Sequence, residues 1–203
     1  NECGGIGVPV IKPWNIEAVK EKLDVLNATN IFAAAMDIDG AGLPFLKAMN
    51  PNAGSKSVAE LREIIEYANM PFILKGIMTV KGAVKAVEAG AKGIVVSNHG
   101  GRVLGNCPST AEVLADIVDA VGKDTVIMVD GGIRTGSDIF KALAIGADCV
   151  LIGRPYVPMV YGGGKEGIKV YTDKLGAELV DTMTMCGAHS LEEISRDMIY
   201  FAK

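Results

Sequence analysis

Residues able to do chemistry recur in this sequence at one kind of place, just after a short apolar run. In chain order they are Lys12-Pro-Trp14, Asp37-Ile-Asp39, Lys75-Gly76, Ser97-Asn-His99-Gly-Gly-Arg102, Asp130-Gly-Gly-Ile-Arg134 and Gly153-Arg154. A single Lys or Asp at such a point is usually a loop ion pair. Six polar segments in succession are not explained that way. Histidine is the side chain that changes charge near neutral pH, so His99 could take or shuttle a proton. Arg102, three residues on, could hold a carboxylate through two parallel hydrogen bonds. The glycines of Asp130-Gly-Gly-Ile-Arg134 let backbone N–H groups approach an anion, and a helix beginning nearby would favour negative charge. With Gly153-Arg154 this reads as a phosphate site, a feature that flavin, nucleotide and sugar-phosphate enzymes share.

The apolar runs that precede these segments are 8–12, 31–37, 72–76, 93–97, 126–130 and 149–153. Each is nearly continuous, as expected for parallel strands covered on both faces. Helical patterns lie between them. Asn15 is placed to cap a helix, Ser57-x-x-Glu60 and Ser109-x-x-Glu112 are capping boxes, and Ser190-x-x-Glu193 is predicted to open a last helix after a longer pattern through Ile168, Tyr171, Leu175, Leu179 and Met183. One β-α-β unit is used twice. Gly76-Ile-Met-Thr79 matches Gly132-Ile-Arg-Thr135, and Lys85–Ala91 matches Lys141–Ala147, both at an offset of 56. Segments 51–55 and 162–164 read as surface loops. Six strands with crossover helices predict a TIM-type (β/α)8 barrel lacking its first two βα units. A full barrel takes about 250 residues and carries its site at the C-terminal strand ends. The alternative, a doubly wound sheet, lacks its G-x-G-x-x-G signature here.

Composition removes other classes. At 203 residues the chain suits one domain, given about 150 residues per domain. A 49% hydrophobic content with a net charge of −4 is too apolar for disorder and offers no basic face for nucleic acid. No run of about 18 uncharged apolar residues is present to span a membrane. The four cysteines, Cys3, Cys107, Cys149 and Cys186, are widely spaced without a CxxC pair, which suggests reduced thiols and a cytoplasmic setting. The chain opens at Asn1 rather than Met. The expectation is that residues before it, or a second chain, close the barrel.

Lys75-Gly76, the Ser97–Arg102 segment, the run from Asp130 to Asp138 with Phe140-Lys-Ala-Leu-Ala-Ile-Gly-Ala after it, and Ile152-Gly-Arg-Pro155 together resemble the C-terminal portion of the FMN-dependent 2-hydroxy acid oxidoreductases, the family of glycolate oxidase, lactate oxidase and flavocytochrome b2. The Asp-Gly-Gly and Gly-Arg-Pro parts are shared with other phosphate-binding barrels, and the Ser97–Arg102 segment is more specific. The resemblance implies a single partial FMN-binding barrel over 1–203 and oxidation of a small hydroxy acid to the 2-oxo acid. It implies that Lys75 and Ser97 meet the flavin edge, that His99 is the general base, that Asp37 stabilises protonated His99, and that Arg102 binds the substrate carboxylate. Asp130, Gly132, Arg134, Gly153 and Arg154 would hold the ribityl phosphate. Family members commonly form oligomers.

Departures from the family pattern concern substrate recognition. Trp14 stands near the place of a substrate-contacting Tyr, and Gly40-Ala-Gly-Leu-Pro44 lacks a second carboxylate-binding Arg. The lid segment, at about 48–57, is short. Trp14, Met36, Leu43 and Met78 form either a hydrophobic substrate pocket or ordinary core. Two other readings remain open at this stage. One is a different phosphate-binding barrel, such as a flavin-dependent isomerase or an IMP dehydrogenase-like enzyme using Cys107. The other is a non-catalytic subunit.

Overall fold

The computed structural model describes residues 4–201, so Cys3 lies outside the described residues. All six predicted strands form: β1 (Val10–Ile11), β2 (Ala34–Asp37), β3 (Phe72–Ile77), β4 (Gly93–Val96), β5 (Val126–Val129) and β6 (Cys149–Val150). They pair in parallel and in sequence order, β1-β2-β3-β4-β5-β6. Helices α1 (Ile16–Asn27), α2 (Pro44–Lys47), α3 (Val58–Tyr67), α4 (Val80–Glu88), α5 (Thr110–Val121) and α6 (Gly136–Ile145) occupy the crossovers, and α7 (Tyr156–Cys186) follows β6. A doubly wound sheet reverses its strand order at a switch point. No reversal occurs here, so the architecture is six consecutive units of a (β/α) barrel. Among the described residues β1 and β6 are the two edges.

The elements form for local reasons. Every residue of β2 and of β4 is buried, which is why those segments read as unbroken apolar runs. Asn15 accepts the Ala18 N–H at the start of α1, and Ser57 and Ser109 complete capping boxes with Glu60 and Glu112. The repeat at offset 56 is a repeated cap. Thr79 accepts from Gly82 N–H to start α4, and Thr135 accepts from Asp138 N–H to start α6. One core joins the sheet to the helices, with Val19, Leu23, Ile64, Phe72, Leu74, Ile94, Ile117 and Ile127 fully buried in it. Each such side chain contributes roughly 1.5–3 kcal/mol.

Two expectations are corrected. Segment 162–164 is not a surface loop but part of α7, where the chain breaks at Gly164 (φ +53°). A side chain on Gly167 would run into the Met159 carbonyl, so the two helical stretches meet too closely for a longer linker. Ser190-x-x-Glu193 opens no α-helix. It forms a single 3-10 turn, Leu191–Glu193, without a side-chain cap, and Glu193 accepts the His189 N–H instead.

Candidate active site

Four of the six polar strand ends meet in one open cavity of about 670 Å³, walled by Lys75, His99, Arg102, Asp130, Arg134 and Arg154 together with Gly132 and Gly153. His99 adopts φ +55°. This left-handed backbone is rare for a residue with a side chain and tends to be kept where function needs it. Ser97 Oγ accepts the His99 N–H at 3.2 Å, and the Asn98 side chain accepts the Gly100 N–H at 3.1 Å. Gly100 and Gly101, both at positive φ, carry the turn onward. The loop presents His99 Nδ1 to both carboxylate oxygens of Asp39, at 3.1 and 3.2 Å. With Nδ1 so engaged, Nε2 is the nitrogen left to exchange a proton.

Glycine at position 76 makes that pairing possible. Its φ is +102°, and a Cβ there would lie 2.6 Å from Asp39 Cγ. Lys75 Nζ donates to Ser97 Oγ at 2.8 Å and sits 3.3 Å from Asp130 Oδ2. Ser97 therefore couples Lys75 to the His99 backbone. Asp130 is fixed by Thr110, whose hydroxyl donates to its carbonyl at 2.6 Å. The other carboxylate oxygen of Asp130, Oδ1, is buried and has no hydrogen-bond partner.

The glycine-lined corner lies at the start of α6. Gly131 and Gly132 have φ of +91° and +82°, and a Cβ on Gly132 or Gly153 would meet nothing within 4 Å. Both glycines thus border open space. Asp138 Oδ2 accepts the Arg134 N–H at 3.0 Å, and Tyr171 of α7 donates to the Arg134 carbonyl at 2.9 Å. Burial raises the Asp138 carboxyl, but hydrogen bonds from Thr135 and from the Arg134 and Thr135 N–H groups outweigh it and hold the group ionised. Arg154 reaches back to the Gly100 carbonyl at 3.4 Å. Arg102 is exposed on the cavity wall, and no ion pair among the described residues uses it.

Two expected placements differ. Asp37 makes no hydrogen bond to His99, although one of its oxygens lies within 4.8 Å of a ring nitrogen. It is 2% exposed and is taken by Lys12, whose Nζ donates to Oδ2 at 2.5 Å, while Asp39 takes the histidine. Beyond Asp37 the chain enters a 3-10 turn, Ile38–Gly42, which brings residue 39 to the mouth. Trp14 is not on the cavity wall. It packs against the main core and against Leu43, Leu46 and Ala53. Met36 and Leu43 are buried core residues, and Met78 packs on the same core, so these four side chains are core rather than a substrate pocket. Asp39 and Lys12 stood in the quoted segments without a role, and the pattern Asp37-Ile-Asp39 was the available signal for the first.

A parallel α/β barrel with a glycine-lined corner, a histidine–carboxylate pair and an unpaired arginine at the C-terminal strand ends has the form of a barrel enzyme. The particular family follows from comparison with known proteins. The model of the FMN-dependent dehydrogenase family matches residues 16–201, and the chain belongs to that family. It is 42% identical over 153 residues to a peroxisomal (S)-2-hydroxyacid oxidase of Arabidopsis thaliana, covering 75% of this chain and 41% of that protein. It is 43% identical over 145 residues to an L-lactate dehydrogenase of Vibrio cholerae, covering 71% and 38%. Among solved structures, a mandelate oxidase variant with (S)-mandelic acid superposes with a TM-score of 0.85 at 31% identity, over 96% of this chain and 63% of that one. The chain thus spans about two fifths of the curated relatives it matches.

Proposed function

We propose that this chain carries the phosphate corner and the base of an FMN-dependent enzyme that oxidises a small L-2-hydroxy acid to the 2-oxo acid. The observation that carries the reading is the His99–Asp39 pair set beside unpaired Arg102 on the wall of a cavity that runs to the Gly132 and Gly153 corner. The residues present fit FMN. The buried Asp130 Oδ1 lacks a donor that a ribityl hydroxyl would supply, and the two glycines leave room where a Cβ would intrude. Backbone N–H groups near Gly132 and the Arg134 and Arg154 side chains would hold the phosphate. When bound, the flavin supplies a two-electron acceptor.

The protein residues do the rest. Arg102 binds the substrate carboxylate in a two-point contact and so holds the α-carbon near His99. His99 would take the hydroxyl proton at Nε2 while the α-hydrogen leaves with its electron pair as a hydride for the two-electron acceptor, which leaves the 2-oxo acid. Asp39 stabilises the imidazolium that results. Lys75, on the cavity wall, would put positive charge beside a bound flavin and so favour its accepting electrons. The alternative of a cysteine-dependent barrel gains no support, because Cys107 does not line the cavity. Strands paired to the free sides of β1 and β6 would close the barrel; we assign them to a longer polypeptide or a second chain, and an oligomer to the assembled protein. No helix among the described residues is long and apolar enough to cross a membrane. The free thiols Cys107, Cys149 and Cys186 fit a reducing, cytoplasmic setting.

The test is the visible spectrum of the native protein, with lactate, glycolate or mandelate added without oxygen. A bound flavin that bleaches supports the reading. A bound flavin that stays oxidised excludes these acids, and a protein that takes up no FMN overturns the cofactor assignment.

A further inference from the structure

The reaction just described makes no use of two tyrosines on α7 or of the break between them. Arg134 and Arg154 both line the cavity, one on the loop after β5 and the other after β6. Neither pairs with a carboxylate among the described residues. Their guanidinium groups rest instead on the Gly132 carbonyl at 3.3 Å and the Gly100 carbonyl at 3.4 Å. Both backbone groups of Arg134 are tied down. Its N–H goes to Asp138 on the adjoining turn, and its carbonyl accepts the Tyr171 hydroxyl at 2.9 Å, from 37 residues away. Tyr171 is 8% exposed, and the Tyr156 ring lies edge-on to it with centroids 5.1 Å apart. Tyr156 follows directly on Arg154-Pro155. A straight helix would hold residues 156 and 171 about 22 Å apart. The break at Gly164 folds the first helical stretch back on the second, and the Tyr156 hydroxyl meets that of Thr172 at 2.9 Å.

We propose that Tyr171 and Tyr156 are positioning residues for a phosphate: Tyr171 fixes the backbone that carries Arg134, and Tyr156 sets it against the strand end that carries Arg154, so that both guanidinium groups meet one phosphomonoester. The inference rests on the reading of the corner as the FMN phosphate site. A planar guanidinium offers a phosphate two parallel hydrogen bonds, but only from a fixed origin and angle. An arginine whose backbone is already held gives up less freedom when the anion arrives. A phenylalanine would fill the same core space as Tyr171, so packing does not account for the hydroxyl. Tyr171 does not line the cavity, so it acts through Arg134 rather than on the ligand.

The test compares FMN with riboflavin, the same ring and ribityl chain without the phosphate, by fluorescence titration of the native protein freed of flavin. In Tyr171→Phe the FMN dissociation constant rises by about fivefold, the scale of one hydrogen bond, while that of riboflavin stays within about twofold of the parent value. A merely structural role weakens both flavins together or neither, and either result overturns the proposal. A parent that binds the two flavins alike overturns it too. Arg134→Met also weakens FMN selectively, and adding Tyr171→Phe to it costs little more, because both act on one contact. Losses that multiply overturn the route through Arg134. If Tyr171→Phe does not fold, Tyr156→Leu decides, since it removes the ring edge that seats Tyr171: the same selective loss is expected, and an unchanged ratio of FMN to riboflavin affinity overturns the proposal. A parent that binds neither flavin removes the cofactor reading, and the probe is then inorganic phosphate. Phosphate protects Arg134 and Arg154 from phenylglyoxal, read by peptide mass spectrometry against exposed Arg62, and half-protection of Tyr171→Phe needs about fivefold more phosphate than that of the parent. No protection in the parent, or equal protection in the variant, overturns the proposal.

Discussion

Replacing Gly76 by Ala tests how the histidine acquires its carboxylate. The added methyl meets two obstacles. At φ +102° an alanine backbone is strained by roughly 1–3 kcal/mol. Its Cβ would lie 2.6 Å from Asp39 Cγ and 2.7 Å from Asp39 Cβ, where ordinary contact begins near 3.4 Å, so Asp39 must retreat by the better part of an ångström. Asp39 holds His99 Nδ1 at 3.1 and 3.2 Å, and that retreat takes the bond beyond useful length. A hydrogen bond to a charged group contributes about 1.5–3 kcal/mol. If it strengthens as His99 gains a proton, its loss lowers kcat/KM by about ten- to a hundredfold, at 1.36 kcal/mol per decade. The assay is hydroxy-acid oxidation by the native protein, with circular dichroism and flavin content confirming that the variant is folded and loaded. Asp39→Asn should fall by a similar factor, and the double variant should lose little more than either single, because both act on one contact. A folded, flavin-bound Gly76→Ala enzyme within twofold of the parent refutes the assignment of Asp39.

Other perturbations reach other parts of the molecule. Gly153→Val inserts a side chain into open space at an ordinary backbone conformation, so thermal stability should hold while FMN affinity falls at least tenfold by fluorescence titration; unchanged affinity would remove Gly153 from the phosphate corner. Gly136→Ala drives a methyl into the backbone of Glu178 and Leu179 where α6 meets α7, and should cost about 3 kcal/mol in urea unfolding. The Glu60 carboxyl is held below its usual value by the Ser57 N–H and then its hydroxyl, and that of Glu112 by the Ser109 hydroxyl and then its N–H. A carboxyl lowered in the folded state stabilises fully above its unfolded value and loses that contribution as pH falls through the folded one. The Glu60→Gln, Glu112→Gln double variant should therefore lose less stability between neutral pH and about pH 3 than the parent does, and parallel losses would count against the capping boxes.

The parts of this fold legible in the sequence are those decided within a few residues. Continuous apolar runs mark β2 and β4 because both faces are covered, and Ser57-x-x-Glu60 marks α3 because a serine and a glutamate three apart satisfy each other's backbone donors. The same pattern at Ser190 fails for want of packing. Leu191 is 55% exposed, so no buried face rewards continuing the helix, and Glu193 finds the His189 N–H instead. The glycines at 162–164 look like a loop by composition, yet the approach of Gly167 to Met159 keeps them within α7. The site divides along the same line. His99, Arg102, Lys75 and the glycine corner declare themselves by residue type and local spacing. Which of Asp37 and Asp39 meets the histidine does not, because three distant facts decide it: β2 stops at Asp37, β1 pairs in the register that delivers Lys12 to Asp37, and residue 76 has no Cβ to fill the space Asp39 needs. Each of these lies on a different strand. The identity of the histidine's partner is therefore a property of the assembled sheet, and changing Lys12 or Gly76 should alter it without touching the histidine or either carboxylate.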